Sequence, residues 1–592
     1  MPKSITKSVP APVGGVNARD ALAAMPPTDA IVMDNWFPNP SYVAVRNGCQ
    51  AWSTGMPSAV ETVMAYNGTS LRKLFGASGA AFYDCTSNAA ATITTVTGLS
   101  NARWQHQQFN AGGGNILIAV NGADAPRVYD GATQGGIKTF NTLVPGSTYT
   151  NGTYTNQSLT GGSGTGGKAT IVVAGNVITS VTITTPGINY VVGDTLSAAI
   201  PAGTGFSFKV ETITGWSVTT ISGTNTLTGA SLVPSNLITV TVFKQRVWYI
   251  ENNSMNVWYT TIQGFQGALS LIPLGQIFKM GGYLMQMATW TIDNVSGMDD
   301  YAAFITSEGE VAIYQGYDPT QVSTWSLIGV FRVGRPIGRR CYTKVGSDIY
   351  LICADGLTPL SQAMLTDRTQ QSGNLTYKIL NAINTDVQLY NANFGWQVME
   401  YPLGNKLIIN VPEQTDTTAH QWVMNAVTKA WCRFRNWNAN CWEIQQDALY
   451  FGGSTAVYLA DVGTSDAGTP ITVDCKPAFS YFDLQGQIKR FVMARPIFVT
   501  SAVIQPNVIL NVDFGDVAIP APSFSSGGTA PWNTSPWNTT PWGGTSPSLT
   551  VKNWLGIAGI GYAACGRLAM QLKNIAVQWY STDYMLEPGG PL

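Results

Sequence analysis

Side chains able to do chemistry are few in this chain, and their spacing does not favour it. The 592 residues include two histidines, His106 in Trp104-Gln-His106-Gln-Gln and His420 before Gln421-Trp422. Nucleophilic catalysis needs a base beside a Ser, Thr or Cys, and no G-x-S-x-G elbow with triad partners accompanies either histidine. A glycosidase needs two carboxylates facing each other across a cleft. The densest acidic sites are Asp299-Asp300 and the pair Glu308 and Glu310. Glu308-Gly309-Glu310 reads as a hairpin turn, where acids are ordinarily solvated. The eight cysteines, Cys49, Cys85, Cys341, Cys353, Cys432, Cys441, Cys475 and Cys565, form no C-x-x-C pair. No zinc site of the usual spacing is written here, and neither a metal nor a cofactor is expected. The thiols read as buried and free in a protein folded in a reducing cytoplasm. Cys432 and Cys441 are also close enough in sequence to pair across a hairpin.

Three further clusters suit binding rather than catalysis. Arg332, Arg335, Arg339 and Arg340 form the one basic cluster. It reads as salt-bridging inside the protein or at a subunit contact, or as a touch on a phosphate backbone. The run Pro531-Trp532-Asn-Thr-Ser-Pro536-Trp537-Asn-Thr-Thr-Pro541-Trp542 repeats a Pro-Trp step every five residues. Proline holds the backbone extended and the turns present three large rings. Trp532, Trp537 and Trp542 then either stack sugars or bases, or anchor the loop into its own domain or a neighbouring subunit. The glycine-rich stretch Gly161-Gly-Ser-Gly-Thr-Gly-Gly167 lacks the G-K-[ST] ending of a phosphate loop and reads as a flexible hairpin tip.

The elements that position these groups come from an unusual composition. Charged residues make up 11% of the chain, 32 Lys and Arg against 33 Asp and Glu, for a formal balance of −1. An average globular protein carries about 25%, and no bulk basic field is available here to hold nucleic acid or an anionic membrane. Apolar residues reach 45%, so the chain folds. Residues 1–30 show no apolar signal region, and no stretch reaches the ~18 consecutive apolar residues of a membrane helix. Low charge with abundant Thr, Ser, Asn, Gly and Trp suits a durable extracellular β protein, while the missing signal and disulfide framework suit cytoplasmic synthesis. A virion component reconciles the two.

Helical periodicity is confined to Asp20–Met25 and a segment near Asn374–Leu389. The rest reads as short β-branched and aromatic strands between Gly, Asn, Asp and Pro turns. Glu61–Tyr66 and Leu71–Phe75 around Asn67-Gly68, and Asn115–Val120 and Arg127–Tyr129 around Asn121-Gly122, read as hairpins with type I′ turns. A strand–turn–strand pattern recurs at Leu74–Asp84, Ile116–Asp130, Arg246–Tyr259, Phe304–Tyr314, Ile349–Pro359, Lys406–Trp422 and Ala448–Asp461. Diverged four-stranded β-propeller blades account for it best; a pair of stacked β-sandwiches is the alternative. The Gly- and Thr-rich stretch 146–215 reads as a small β module inserted into that series. Residues 1–50 are Pro-rich and read as an extended arm lying on something.

The order of several motifs resembles the tail nozzle (tail tubular protein B-like) proteins of short-tailed bacteriophages. These are Gly14-Gly-Val-Asn17, Asp29-Ala-Ile-Val-Met-Asp-Asn-Trp36-Phe-Pro38 and Val45-Arg46-Asn47-Gly48 near the start. In the middle lie Phe304–Gly316, Trp325-Ser-Leu-Ile-Gly329 and Asp355-Gly356-Leu-Thr-Pro359-Leu. Val577-Gln-Trp-Tyr580 and Glu587-Pro-Gly-Gly590 follow near the end. The module with Gly187-Ile-Asn-Tyr190 and Gly193-Asp194 looks like an accessory β domain of phage tail proteins. The resemblance implies a homohexameric tube below the portal and adaptor, carrying tail fibres or spikes, and conducting and helping retain the genome in the virion.

The expectation is therefore a mainly β chain. Residues 1–54 form an N-terminal arm belonging to a platform, 55–140 the first part of a β-propeller, and 146–215 an inserted domain. Residues 235–470 form the rest of the propeller, and 471–592 a β-sandwich-like platform domain with the Pro-Trp repeat. The chain is expected to be a structural subunit, not an enzyme, touching passing DNA transiently. Trp36, Trp532, Trp537, Trp542, Arg335, Arg339 and Arg340 are its expected interface residues. A virion protein binding host-surface glycans, or a glycan-cleaving propeller using Asp299 or Glu310, are the alternatives.

Overall fold

The structure is a computed structural model that describes residues 4–591 except 70, 112–113, 133–134, 220–225, 295–296, 322, 366–372, 519–521 and 528–548. With 57% of residues in strands and 4% in helices, the chain is mainly β. It forms two compact units, residues 53–331 and residues 1–52 with 332–592.

Residues 53–331 hold four successive four-stranded antiparallel sheets. The first is Val60–Asn67, Arg72–Ser78, Ala81–Asp84 and Thr92–Thr97. The second is Gln105–Ala111, Gly114–Val120, Arg127–Tyr129 and Trp216–Val218. Leu237–Phe243, Arg246–Glu251, Asn256–Tyr259 and Ser270–Pro273 make the third. Leu284–Asn294, Gly297–Thr306, Glu310–Gly316 and Trp325–Arg332 make the fourth.

Strand alternation explains how they stack. Leu117, Ala119 and Tyr129 of the second sheet join Met64, Phe75 and Phe82 of the first in one apolar cluster. The intervening Ile116, Ile118 and Val128 face the other way, toward Val247, Tyr249 and Trp258 of the third. Trp248, Val257 and Tyr259 of the third then face Phe304 and Tyr314 of the fourth. Sheets buried on both faces, each against the next, are the blades of a propeller-type fold.

An inserted domain separates the third and fourth strands of the second blade. Its six-stranded sheet runs from Ile137–Ser147 to Thr204–Ile213, so it begins earlier than the expected 146. The glycine-rich loop is not the flexible tip its composition suggests. The Ser163 N–H and Oγ both donate to Asp194 (3.0 and 2.8 Å), and the Gly167 N–H donates to the Tyr190 hydroxyl (3.2 Å). A Cβ at Gly164 would collide with the fully buried Tyr190 ring. The glycines are there for close packing.

In the second unit the N-terminal residues are woven into the fold rather than draped over it. Ile5–Pro10 pairs antiparallel with Val577–Pro591, in a seven-stranded sheet that also holds Gln487–Thr500. Asp29–Asp34 lies in a ten-stranded sheet, parallel to Trp431–Arg435 on one side and antiparallel to Ile471–Pro477 on the other. The two sheets face each other as a sandwich. Phe491, Tyr584 and Leu586 of the first share a core with Leu510 and Ala564 of the second.

Asp29–Asp34 also explains why the chain divides at 331 rather than at 470. It joins the meander Gln397–Tyr401, Lys406–Gln414, Thr418–Asn425 and Trp431–Arg435 to Ile471–Pro477 and the strands beyond it in one sheet. Helix Leu380–Tyr390 covers it. The expected Asp20–Met25 helix is only a turn, because it is short and Pro26-Pro27 block its extension. Neither Asn-Gly step makes a two-residue type I′ turn. Asn67 pairs with Arg72 across four intervening residues, and Ala119 with Arg127 across seven.

Candidate functional site

Asn35 and Arg46, from the opening motifs, build a buried polar hub. Asn35 adopts a left-handed φ of 60° between Asp29–Asp34 and Trp36–Pro38, which asparagine tolerates better than most residues. Its side-chain oxygen accepts from Arg46 Nε (2.8 Å) and from the Arg435 N–H (2.8 Å), and its amide donates to the Thr472 carbonyl (2.7 Å). Arg46 is fully buried and grips Asp466 with two parallel bonds (2.8 and 2.7 Å). It also donates to the carbonyls of Asn47 (2.9 Å) and Arg435 (2.7 Å), so all five of its donors are used. Its guanidinium lies 4.5 Å from the Trp437 ring centroid. Gly48 is required beside it, since a Cβ there would collide with the Ser465 carbonyl. A second anchor holds the arm's start. Asn17 donates to Asp29 (2.8 Å) and Asp20 (2.9 Å), while Lys378 bonds Asp29 (2.7 Å) and the Gly14 carbonyl (2.8 Å). These motif residues build architecture.

The expected interface residues fare differently. Trp36 is fully buried with its ring 5.8 Å from Trp579, so it is a core residue and leaves the interface set. Trp532, Trp537 and Trp542 lie outside the described residues. Arg335 is exposed, while Arg339 and Arg340 are half-buried. Arg340 is fixed through its backbone bridge to Gln397 and the placement of its guanidinium 5.4 Å from the Phe394 ring centroid.

The acidic residues Asp299, Asp300 and Glu310 are spread along one hairpin. Tyr301 pairs with Gln315 and Ile305 with Val311, so Asp299 and Asp300 lie at one end of the hairpin and Glu310 at the other. At ~3.3 Å per residue the separation is roughly 20 Å, about twice the widest spacing of a glycosidase pair. Glu310 is buried and accepts the N–H groups of Lys279 (3.1 Å) and Met280 (2.9 Å). Asp300 accepts from Thr291 (2.9 Å) and faces Lys244 (3.4 Å). His420 has both ring nitrogens engaged, Nδ1 with Glu413 (2.8 Å) and Nε2 with Asp386 (3.1 Å). Neither nitrogen is left to serve a nucleophile. His106 sits on Gln105–Ala111, opposite Ala119. All eight cysteines are buried and free, so Cys432 and Cys441 are not joined. Among the described residues no side-chain group has the make-up of a metal site, and no helix is long and apolar enough to cross a membrane.

What the sandwich does present is apolar surface. Phe514, Val517, Ile560 and Tyr562 are all exposed, Ile560 by 64%. They are drawn together because Asp513 accepts the N–H groups of Tyr562 (2.8 Å) and Ala563 (2.9 Å). Phe514 continues the patch inward, 5.0 Å from the buried Phe479 ring. Scattered single apolar side chains need no explanation; these four lie on two turns that Asp513 ties together. Parts of the patch fall 45 residues apart in a stretch with no obvious pattern, which hides it in the sequence.

No family model matches the chain, and no curated protein matches it. Solved structures are similar at a low level. YCF48 bound to D1 peptide aligns with 9% identity over 75% of this chain and 98% of that one, at a TM-score of 0.22. An exo-beta-1,3-galactanase from Phanerochaete chrysosporium with galactose gives 10% identity, 75% and 100% coverage and a TM-score of 0.21. BBS1N in complex with ARL6DN gives 12%, 53% and 97%, and 0.17. No function passes to this chain at such scores.

Proposed function

We propose that this chain is a structural subunit of a short-tailed bacteriophage tail nozzle. In this reading copies of the chain associate through the terminal sandwich as a homohexameric ring in the virion, and the tube so formed conducts and helps retain the genome. The observation that supports it is the sandwich itself. The motif residues Asn17, Asp29, Arg46 and Trp579 lock both chain ends into it, and it carries the exposed group Phe514, Val517, Ile560 and Tyr562. The adaptor ring, the fibres or spikes and the passing DNA enter as partners from the resemblance. A balanced charge suits DNA that must slide, because each cation–phosphate contact adds affinity. The purified chain is expected to form six-fold rings by electron microscopy, with light scattering giving a hexamer mass. A chain that stays monomeric at high concentration, and is missing from virions, refutes the proposal.

A further inference from the structure

The seven-stranded sheet of the second unit ends in two different edges. On one side Ile5–Pro10 pairs with Val577–Pro591, and on the other Leu555–Gly561 pairs with Gln487–Thr500. Val577–Pro591 and Gln487–Thr500 pair with each other, so these four strands lie side by side with Ile5–Pro10 and Leu555–Gly561 outermost. Among the described residues each of the two outer strands is paired on one side only.

Both edges have the chemistry of a pairing surface. The Ala11 N–H donates to the Tyr580 carbonyl (2.9 Å). Alternation along an unbroken register then turns Ile5, Lys7 and Val9 toward Val577–Pro591 and directs the N–H and C=O groups of Thr6 and Ser8 outward. Lys7 is held by Asp483 (3.1 Å). Sheet edges are commonly blunted by charge, proline or a bulge. Leu555-Gly-Ile-Ala-Gly-Ile-Gly561 has neither charge nor proline, and its one register shift lies opposite Phe491–Met493. Ile5 at one edge and Ile557 at the other are only partly buried against the sandwich core. Gly556, Ala558 and Ile560 are exposed.

The two edges also match in level and direction. Ile5, Leu586, Phe491 and Gly559 lie in one row across the sheet, and Lys7, Tyr584, Ala494 and Leu555 in another. All three pairings between these strands are antiparallel, so the two outer strands run in opposite directions. Two copies set side by side in one orientation therefore bring unlike edges together antiparallel and at the same height.

We propose that Leu555–Gly561 of one copy pairs with Ile5–Pro10 of the next, continuing the sheet from chain to chain. Main-chain hydrogen bonds hold the joint, and Ile5 and Ile557 are covered together. The occupant is a second copy because one sheet carries both halves of the joint at one level. Since the two edges differ, the contact is head-to-tail, and it propagates around a ring instead of stopping at a dimer. This rests on the proposed ring and names the strands that join it.

Thr6→Cys and Ala558→Cys place one thiol on each edge of the full chain. Within one copy these positions are three strands apart, about 14 Å, beyond the reach of a disulfide, and the eight native cysteines are buried. Oxidised with copper phenanthroline, the double variant should give a ladder of disulfide-linked species up to the oligomer mass seen by light scattering. A mixture of the two single variants should stop at dimers, and each single variant alone should stay unlinked. Thr6→Pro removes an outward N–H and no bond within the chain, so it should weaken self-association about tenfold while thermal unfolding is unchanged. Cross-linking of one single variant alone means that like edges pair, and overturns the proposal. An oligomer whose double variant does not cross-link overturns it and leaves the ring reading standing. A chain that stays monomeric overturns both.

Discussion

His420 gives the sharpest internal prediction. It is almost fully buried on Thr418–Asn425, between Glu413 on the neighbouring strand and Asp386 on helix Leu380–Tyr390. With a carboxylate at each nitrogen, the ring is best satisfied as an imidazolium donating twice. Burial opposes that charge, but the hydrogen bonds to Asp386 and Glu413 outweigh it and raise the pKa above the ordinary value, while Arg433 acts against it. Arg433 is itself held by Asp34 (2.7 and 2.8 Å). The His420 hydrogen bond, with Arg435 beside it, brings Glu413 down to about 2.

The signs then follow. A raised histidine stabilises fully below its unfolded value, and that share is lost as pH rises through the folded value. A lowered glutamate stabilises above its unfolded value, and its share is lost as pH falls toward about 2. The clamp is complete between roughly pH 4.5 and 6.5. Each charge-assisted bond contributes about 1.5–3 kcal/mol. Trp422 still donates to Asp386 (2.7 Å) and Arg435 to Glu413 (3.1 Å) without the ring, so His420→Gln should cost the lower sum, about 3 kcal/mol. Hydrogen exchange of the Leu380–Tyr390 amides reads this locally. The wild type should lose protection as pH rises above about 6.5 and through the raised folded value, and His420→Gln should start low and stay flat. With two histidines in the chain, the ring signal missing from the variant's NMR spectrum identifies His420 and gives its titration directly. A variant within about 1 kcal/mol of wild type, or one keeping the wild-type pH slope, refutes the reasoning.

Three further outcomes are expected. Ile560→Asp with Tyr562→Ser should leave unfolding unchanged but weaken self-association roughly 100-fold or more, since each buried apolar side chain contributes about 1.5–3 kcal/mol; sedimentation at graded concentrations reads it. Asp466→Ala leaves the Arg46 guanidinium buried without its counter-charge and should cost about 3–5 kcal/mol in urea unfolding of the sandwich, whereas Asp483→Ala, whose partner pair with Lys7 is exposed, should cost about 1 kcal/mol or less. Tyr190→Ala should destabilise the inserted domain by about 3–5 kcal/mol while exchange in the blades is unchanged.

Much of the local structure was legible and most of the long-range structure was not. All seven recurring strand–turn–strand stretches fall on hairpins, because alternation and turn residues are local signals. Which sheet a hairpin joins is not local. Ile349–Pro359, Lys406–Trp422 and Ala448–Asp461 look like the other four yet fall in the second unit, where Lys406–Trp422 joins the ten-stranded sheet that Asp29–Asp34 also enters. The Arg46–Asp466 grip spans 420 positions, and the His420 clamp draws one carboxylate from a helix, so neither has a spacing to read. Trp36 was placed at an interface because buried cores and interfaces both favour tryptophan. The glycine-rich loop reads as a flexible hairpin tip because its composition does not reveal the Tyr190 ring beneath it.

Imaging of intact virions by cryo-electron microscopy tests the central claim most directly. The account predicts this chain as a six-fold ring on the tail axis, with Phe514, Ile560 and Tyr562 covered by a neighbouring copy. A virion lacking the chain, or holding it as isolated copies with that surface bare, would contradict it.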